Sequence, residues 1–270
     1  MQTLILTSIW KAALIPAGVM LGVALLLGIA IALVSAKFAP NKDERAEEIE
    51  ALLPGSNCGG CGSGGCADFA NRLLAGKATL SACRALSKPN RAQIAAILGT
   101  EAEDLAETVM IVRCNGGEAC KNSFDYAGYD DCVSASQILL GGKACFAGCL
   151  GHGNCATACP TSAMKIKYDC AKVKTAICDS CGACEKACPK GLMMRIPKTA
   201  RVFVACNSHE KGKAVRDVCS RGCIGCGLCA KLCPSQAIKM ENNLPVIDYS
   251  LCTGCLTCAK KCPTHVIKVR

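Results

Sequence analysis

Cysteine spacing constrains this chain more than any other feature of its sequence. Three runs share the frame C-x2-C-x2-C-x3-C-P, in which a proline follows the fourth cysteine. The runs are Cys178, Cys181, Cys184 and Cys188; Cys223, Cys226, Cys229 and Cys233; and Cys252, Cys255, Cys258 and Cys262. Because thiols this close in sequence converge on common centres, the chain is predicted to fold around metal rather than around a large apolar core.

The frame indicates iron–sulfur clusters. It is the run of bacterial ferredoxins, in which the fourth cysteine ligates the other cluster of a pair. Disulfide scaffolds are usually short and secreted, with less regular spacing. Zinc ribbons also use paired C-x2-C units, but not four cysteines that end in Cys-Pro and recur three times. Thiolate ligation further implies assembly in a reducing compartment.

The net charge does not indicate a nucleic-acid partner. The formal charge is +10, but each oxidised four-iron cluster with four thiolates adds about two negative charges, so five would nearly cancel it. The sequence shows no recognition helix or aromatic platform for nucleic acid.

The N-terminal segment is predicted to anchor the chain in a membrane. Residues 12–36 carry no charge, and this segment is long enough to form a bilayer-spanning helix. Trp10, Lys11 and Lys37 flank it as interface anchors. The alternative is a cleaved signal peptide, whose apolar region would be shorter, about 7–15 residues. The lysine and arginine bias favours a cytoplasmic C-terminal side.

A second cysteine group follows the anchor. Residues 42–53 are predicted to form a short charged helix, and the next cysteines lie in a glycine-rich loop with the frame C-x2-C-x4-C-x16-C. Glycines let the backbone turn tightly around a cluster. The predicted ligands of this first cluster, for which zinc is an alternative, are Cys58, Cys61, Cys66 and Cys83.

An internal repeat organises the remainder. The segments from Cys159 to Cys178 and from Cys233 to Cys252 align without a gap, each as strand, turn and strand between cysteine motifs. A looser motif, C-x3-C-x5-C-x3-C-P, opens the first copy. Crossed ligation predicts four clusters: cluster 2 with Cys145, Cys149, Cys155 and Cys188; cluster 3 with Cys159, Cys178, Cys181 and Cys184; cluster 4 with Cys223, Cys226, Cys229 and Cys262; and cluster 5 with Cys233, Cys252, Cys255 and Cys258.

Six cysteines remain. Cys170 aligns with Leu244 in a turn between strands and is interpreted as a small apolar residue. We expect a sixth cluster to use four of the other five, with buried structural cysteines as the alternative: Cys114, Cys120, Cys132, Cys206 and Cys219. The apolar runs that end at Cys114-Asn115 and Cys206-Asn207 are expected to pair as adjacent strands and so bring two of these thiols together.

The order of these modules resembles that of the B subunit of Rnf complexes. The resemblance rests on PGSNCGGCGSGGCADFA after an anchor, YAGYDDCVSASQILLGGKACFAGCLGHGNCATACP, and ACNSHEKGKAVRDVCSRGCIGCGLCAKLCP. These segments look like the longer clostridial-type version. The resemblance covers nearly the whole chain.

The resemblance implies an electron-transfer subunit of an ion-translocating ferredoxin:NAD+ oxidoreductase. Such a subunit takes electrons from soluble ferredoxin and passes them to integral-membrane and flavin-bearing partners, from a single-pass position in the bacterial inner membrane with its C-terminal domains in the cytoplasm. Nicotinamide binding would belong to a partner, and this chain has no G-x-G-x-x-G motif after a strand. The lysines at 186, 190, 260 and 261 are candidates for docking an acidic ferredoxin, with a solvated surface as the alternative.

The predicted fold class is α+β, with one transmembrane helix, a small helical four-iron module and two tandem two-cluster ferredoxin-like modules. The predicted domains are 1–38, 39–100, 101–140 as a connector, 141–200 and 201–270. No residues form an evident acid–base or nucleophilic site, and His152 is the one histidine considered as an unusual ligand. Other functions remain open: a polyferredoxin of a hydrogenase or heterodisulfide reductase assembly, or a zinc-binding interaction protein.

Overall fold

The computed structural model describes residues 2–38, 43–101, 105–139 and 141–270, and in the first helix the side chains of residues 17–35. The chain divides into two units, residues 1–44 and 45–270. The expected interface anchors Trp10, Lys11 and Lys37 lie outside the described side chains. The mixed α+β class is confirmed: short helices and four two-stranded antiparallel sheets make up the described part of the second unit.

The first unit is dominated by helix α1 (Gln2–Phe38). Its stretch Ala17–Ser35 has a mean hydropathy of 2.7 and is fully exposed. Within the described residues it is the one helix long and apolar enough to cross a membrane.

The second unit begins with a small helical module. It contains α2 (Glu44–Leu52), α3 (Cys66–Leu74) and α4 (Lys88–Leu98). Ile49, Phe69 and Ile94 are almost completely buried between these helices, and their contact forms the core of the module. Helix α4 begins at the Ser87 cap, whose side chain accepts the Asn90 N–H, and ends at Gly99 in the left-handed conformation.

The rest of the chain repeats one arrangement of four strands. In each copy the second and third strands form a hairpin, and the first strand pairs with the last. The first copy has β1 (Thr108–Val112), β2 (Met164–Lys167), β3 (Cys170–Val173) and β4 (Met193–Pro197); the second has β5 (Val202–Val204), β6 (Ile238–Glu241), β7 (Leu244–Ile247) and β8 (Ile267–Val269). The helices between them are α5 (Cys132–Gln137), α6 (Asn154–Thr157), α7 (Ala183–Lys186), α8 (Lys213–Val218), α9 (Leu228–Lys231) and α10 (Thr257–Lys260).

The strand topology corrects one expectation. The runs that end at Cys114 and Cys206 do not pair with each other, because β1 pairs with β4 and β5 pairs with β8. Each run completes its own copy of the repeat, so part of the segment 101–140 belongs structurally with the strands that follow it. Cys170 also lies at the first residue of β3 rather than in the turn, and it is buried.

Candidate iron–sulfur centres

The cysteines supply much of the buried surface of the repeat. Two apolar clusters, one in each copy, combine aliphatic side chains such as Met164 and Ile238 with cysteines of the repeated motifs. All 26 cysteines are free thiols. Within the described residues, no three potential ligands converge closely enough to hold a single metal ion.

The four predicted ligands of the helical module line one chamber. Cys58, Cys61, Cys66 and Cys83 surround about 380 Å³ of space that no protein atom fills. The pKa of Cys83 is raised to about 11, first by burial and then by the charges of the neighbouring thiols Cys61, Cys58 and Cys66. Arg91 supports the loop, because its guanidinium donates hydrogen bonds to the carbonyls of Cys83 and Leu86 at 3.3 and 3.2 Å.

This module is in direct contact with the first copy of the repeat. Cys181 belongs to the wall of the Cys58 chamber. The ammonium of Lys186, five residues later, donates a 2.8 Å hydrogen bond to the carbonyl of Gly59. The predicted ligands of cluster 1 and cluster 3 are therefore neighbours.

The repeated motifs share one loop conformation. A residue in the left-handed region comes two positions before the third cysteine, and a four-residue helix follows it. Glycine adopts this conformation at no steric cost. The left-handed residues are Gly153, Gly182, Gly227 and Leu256, with φ values of 92, 85, 70 and 66°.

Crossed ligation is consistent with the thiols that face one another. The pKa of Cys229 is raised to about 11 by burial first, and by the charges of Cys223, Cys226 and Cys262. Cys184 has a pKa raised to about 11 by burial and by Cys178 and Cys159. In both cases the fourth cysteine of one motif lies beside cysteines of another.

The remaining cysteines do not all lie where the spacing of the first motif predicts. Cys145 faces Cys120, Cys206 and Cys114. The neighbours of Cys155 include Cys149, Cys188 and Cys132. A second chamber, between the two copies, has six cysteines in its wall: Cys114, Cys120, Cys145, Cys149, Cys206 and Cys219. The five extra cysteines thus separate into a group of four at this chamber, and Cys132 beside Cys149 and Cys155.

Cys170 lies beside two of these thiols. Its buried Sγ donates a 3.4 Å hydrogen bond to the Cys114 carbonyl, and the proximity of its proton lowers the pKa of Cys114 to about 6 and that of Cys149 to about 7. The pKa of Cys170 itself is raised, because the same contacts hold its proton. The residue is therefore a protonated neighbour of other thiols, which the interpretation as a plain apolar residue did not predict.

Two of the three histidines have side-chain partners within the chain. His152 Nδ1 lies 2.7 Å from a carboxylate oxygen of Asp130, and its ring contacts Tyr126 edge to face at 5.4 Å between centroids. His209 Nδ1 lies 2.9 Å from the Asn242 carbonyl. These contacts support a structural role for both side chains.

Family models match both cysteine-rich parts of the chain. The model for an Fe–S cluster domain matches residues 53–85, which contain the Cys58 chamber. The model for a 4Fe-4S dicluster domain matches residues 177–237 and 222–266. Models of iron–sulfur domains thus match both cysteine-rich regions, and the match at residues 53–85 favours an iron–sulfur cluster over zinc in the Cys58 module.

Full-length relatives decide the family. The B subunit of the Na(+)-translocating ferredoxin:NAD(+) oxidoreductase complex of Acetobacterium woodii is 40% identical over 241 residues, which cover 88% of this chain and 72% of the relative. The chain belongs to this family of B subunits. The proton-translocating counterpart of Clostridium ljungdahlii is 42% identical, with 86% and 83% of the two chains covered. The B subunit of an ion-translocating oxidoreductase complex of Methanosarcina acetivorans is 37% identical, with coverage of 85% and 88%.

Family membership confirms the resemblance drawn from the motifs. A B subunit of this family is an iron–sulfur electron-transfer subunit of an Rnf-type, ion-translocating oxidoreductase complex. The thiol sets described above are the groups with which this protein can hold its 4Fe-4S clusters.

Proposed function

We propose that this protein takes electrons from reduced ferredoxin and relays them, through clusters held by successive thiol sets, to membrane-embedded and flavin-bearing partners. One observation carries the proposal: thiol sets of successive modules lie beside one another. The Cys58 chamber includes Cys181 in its wall, and Cys155 lies near Cys184. At the other end, the Cys223 N–H donates to the Cys206 sulfur at 3.4 Å.

Four ligand sets follow the predicted frames. Each bound cluster supplies a one-electron redox centre whose potential depends on charge, hydrogen bonds to sulfur and solvent exposure. The chain contributes thiolates in fixed positions and a largely dry surrounding, since most of the cysteines are buried or half-buried. The sets are Cys58, Cys61, Cys66 and Cys83; Cys159, Cys178, Cys181 and Cys184; Cys223, Cys226, Cys229 and Cys262; and Cys233, Cys252, Cys255 and Cys258.

Ferredoxin is proposed to dock on the second copy of the repeat. Cys226 and Cys255 are the two exposed cysteines, so electrons have the shortest path from solvent there. Lys260 and Lys261 are exposed on and after α10, where their charge would attract an acidic partner. Lys186 and Lys190 instead donate hydrogen bonds to the carbonyls of Gly59 and Phe146, so they support packing within the chain.

Helix α1 is proposed to hold the protein in the membrane as a single span, with residues 45–270 in the cytoplasm. The uncharged stretch Ala17–Ser35 supports the span, and the lysine and arginine bias of the sequence supports the orientation. Binding of NAD+ and ion translocation are assigned to partner subunits.

The test compares anaerobic membranes that contain the complete complex with membranes that lack this protein. Without it, ferredoxin-dependent NAD+ reduction is expected to be lost, while NADH oxidation by an artificial acceptor persists on the flavin-bearing partner. Addition of the gene in trans should restore the first activity. Ferredoxin-dependent NAD+ reduction that survives in the deletion would overturn the proposal, and coupling to hydrogen or a heterodisulfide instead would favour the polyferredoxin alternative.

A further inference from the structure

The structural repeat is longer than the ferredoxin motifs alone. In the first copy, β1 runs into Cys114-Asn115, and Cys145 precedes Cys149 in the frame C-x2-G-C. In the second copy, β5 leads to Cys206-Asn207, and Cys219 precedes Cys223 in the same frame. Each copy therefore supplies two thiols in addition to its ferredoxin motifs, at matching positions.

Counting back from the Cys-Pro step changes the interpretation of the first motif. In the regular frame the cysteines lie four, seven and ten positions before the last one. Before Cys159, these positions hold Cys155, His152 and Cys149. The loop conformation agrees, because Gly153 is left-handed and α6 follows it, as at the three complete motifs. His152 thus stands where the second ligand would be, and Cys145 lies outside the frame.

His152 is engaged elsewhere, and Cys132 lies beside the same loop. The His152 ring is held by Asp130 and Tyr126. The Cys132 N–H donates a 2.8 Å hydrogen bond to the Asn154 side chain. The Cys132 thiol lies near the backbone N–H groups of Asn154, Gly153 and His152 in the same loop. Helix α5 therefore delivers a thiol to the loop that lacks one.

The thiols left over meet in the chamber between the copies. The chamber, counted with its opening to solvent, has about 440 Å³ of space free of protein atoms, comparable with the 380 Å³ of the Cys58 chamber, whose segment matches an Fe–S cluster model. A β-carbon at Gly116 would lie 3.3 Å from Cys120 Cβ, 3.4 Å from Cys219 Sγ and 3.7 Å from Cys114 Sγ. The backbone of Gly116 therefore lies against three of the chamber's cysteines.

The two copies approach this chamber in the same way. The Cys114 sulfur accepts the N–H of Cys149 at 3.4 Å, and the Cys206 sulfur accepts the N–H of Cys223 at 3.4 Å. Cys149 and Cys223 are equivalent first ligands of their motifs. The local two-fold repeat thus places equivalent thiols on both sides of the chamber.

We propose that Cys114, Cys145, Cys206 and Cys219 hold a sixth four-iron cluster between the two copies, and that Cys132 replaces Cys145 as a ligand of cluster 2, with Cys149, Cys155 and Cys188. Cys120 and Cys170 then remain protonated thiols. The inference rests on the proposed relay and deepens it, since the sixth cluster adjoins Cys149 of one ferredoxin module and Cys223 of the other. It is the connection between them.

The test measures the iron content of the full-length protein, purified anaerobically, and asks whether the losses in single variants add up in double variants. Six clusters correspond to about 24 irons per chain. Cys132→Ala and Cys145→Ala are each expected to retain about 20, and the double variant about 16, because the two residues serve different clusters. Cys145→Ala combined with Cys206→Ala should retain about 20, because those residues share one. Cys120→Ala, which tests the choice among the chamber cysteines, should retain about 24.

Several results would overturn the inference. The first is an iron content of about 20 per unaltered chain. The second is a Cys132→Ala/Cys145→Ala double variant that contains as much iron as either single variant. The third is a Cys120→Ala variant that loses a cluster while Cys114→Ala does not. Should an alanine variant fail to fold, Cys132→Ser and Cys145→Ser retain a ligand atom. They are expected to alter the EPR signals of two different reduced clusters, and alteration of the same signal would refute the assignment. An unaltered chain that contains zinc and no iron would instead reject the proposed function.

Discussion

The backbone of Gly60 packs directly against the carbonyl of Cys181, so closely that a β-carbon at position 60 would lie 2.4 Å from that oxygen. Gly60 belongs to the loop of the Cys58 chamber, and Cys181 is a proposed ligand of cluster 3. The contact holds two ligand sets from separate modules side by side. It is the point at which the helical module and the repeat form one relay.

Gly60→Ala tests this contact. The added methyl group meets backbone rather than a movable side chain, so we expect a loss of about 1–3 kcal/mol in the free energy of unfolding and slower electron transfer between the helical module and the repeat. Gly64→Ala is the control, because its β-carbon would find only the Asp68 carboxylate at 3.9 Å. Denaturant unfolding of the iron-loaded chain in detergent provides the measurement. Equal stability of the two variants would show that the modules do not pack here.

Arg91→Ala should loosen the Cys83 loop. The buried guanidinium donates to the carbonyls of Cys83 and Leu86, and its removal leaves both acceptors without a charged donor, at a cost of about 3 kcal/mol. Iron release to a chelator should become faster for one cluster, about four irons. Gln93→Ala, at an exposed position of the same helix, should release iron at the unaltered rate. An Arg91 variant that behaves like the control contradicts the prediction.

Asp131→Ala should weaken the placement of Cys132. The Asp131 carboxylate caps α5 by accepting the Ser134 N–H at 2.6 Å, and this bond, with the Asn154 side chain, lowers its pKa. A lowered pKa means that the stabilisation is present above the ordinary carboxyl range and is lost as the pH falls through the lowered value. The variant should therefore release iron faster than the unaltered chain at about pH 6–8. The difference between the two release rates should stay the same across that range.

The control for this prediction is Gln137→Ala at the far end of the same helix, which leaves the cap intact. A difference between Asp131→Ala and the unaltered chain that varies between about pH 6 and 8 would show that another group is responsible.

Charge reversal at Lys260 and Lys261 should weaken ferredoxin docking. We expect the KM for reduced ferredoxin to rise roughly tenfold at low salt and the salt dependence of the rate to diminish, with kcat unchanged. Lys165→Glu, an exposed lysine of the other copy, is the control. The measurement is steady-state NAD+ reduction by the complete complex at two ionic strengths, with the double charge reversal compared with the Lys165→Glu control. An unchanged KM in the double reversal would place the docking site elsewhere.

Much of the architecture follows from local signals in the sequence. The helix after the anchor, the strand–turn–strand segments and the convergence of Cys58 with Cys83 depend on periodicity, glycine and motif spacing, which are properties of neighbouring residues. The expected pairing of β1 with β5 is wrong for a physical reason. Two similar strands each find a better partner at the end of their own copy, a choice that depends on chain topology rather than on composition.

The assignment of Cys145 illustrates the limit of spacing arguments. Counting cysteines forward makes Cys145 the first ligand of a loose motif, whereas counting back from Cys159 leaves it outside a regular frame that contains His152. That signal is present in the sequence, as is the shared C-x2-G-C of Cys145 and Cys219. The position of Cys132 is not, because it depends on a hydrogen bond to Asn154, which is 22 residues away.

The most direct test of the account is Mössbauer spectroscopy of the full-length protein enriched in ⁵⁷Fe, before and after anaerobic addition of reduced ferredoxin as the electron donor. The account predicts about 24 irons per chain, all in four-iron clusters, and a shift of the spectrum towards the reduced form once ferredoxin is added. Zinc in place of iron, or iron whose spectrum reduced ferredoxin leaves unchanged, would contradict it.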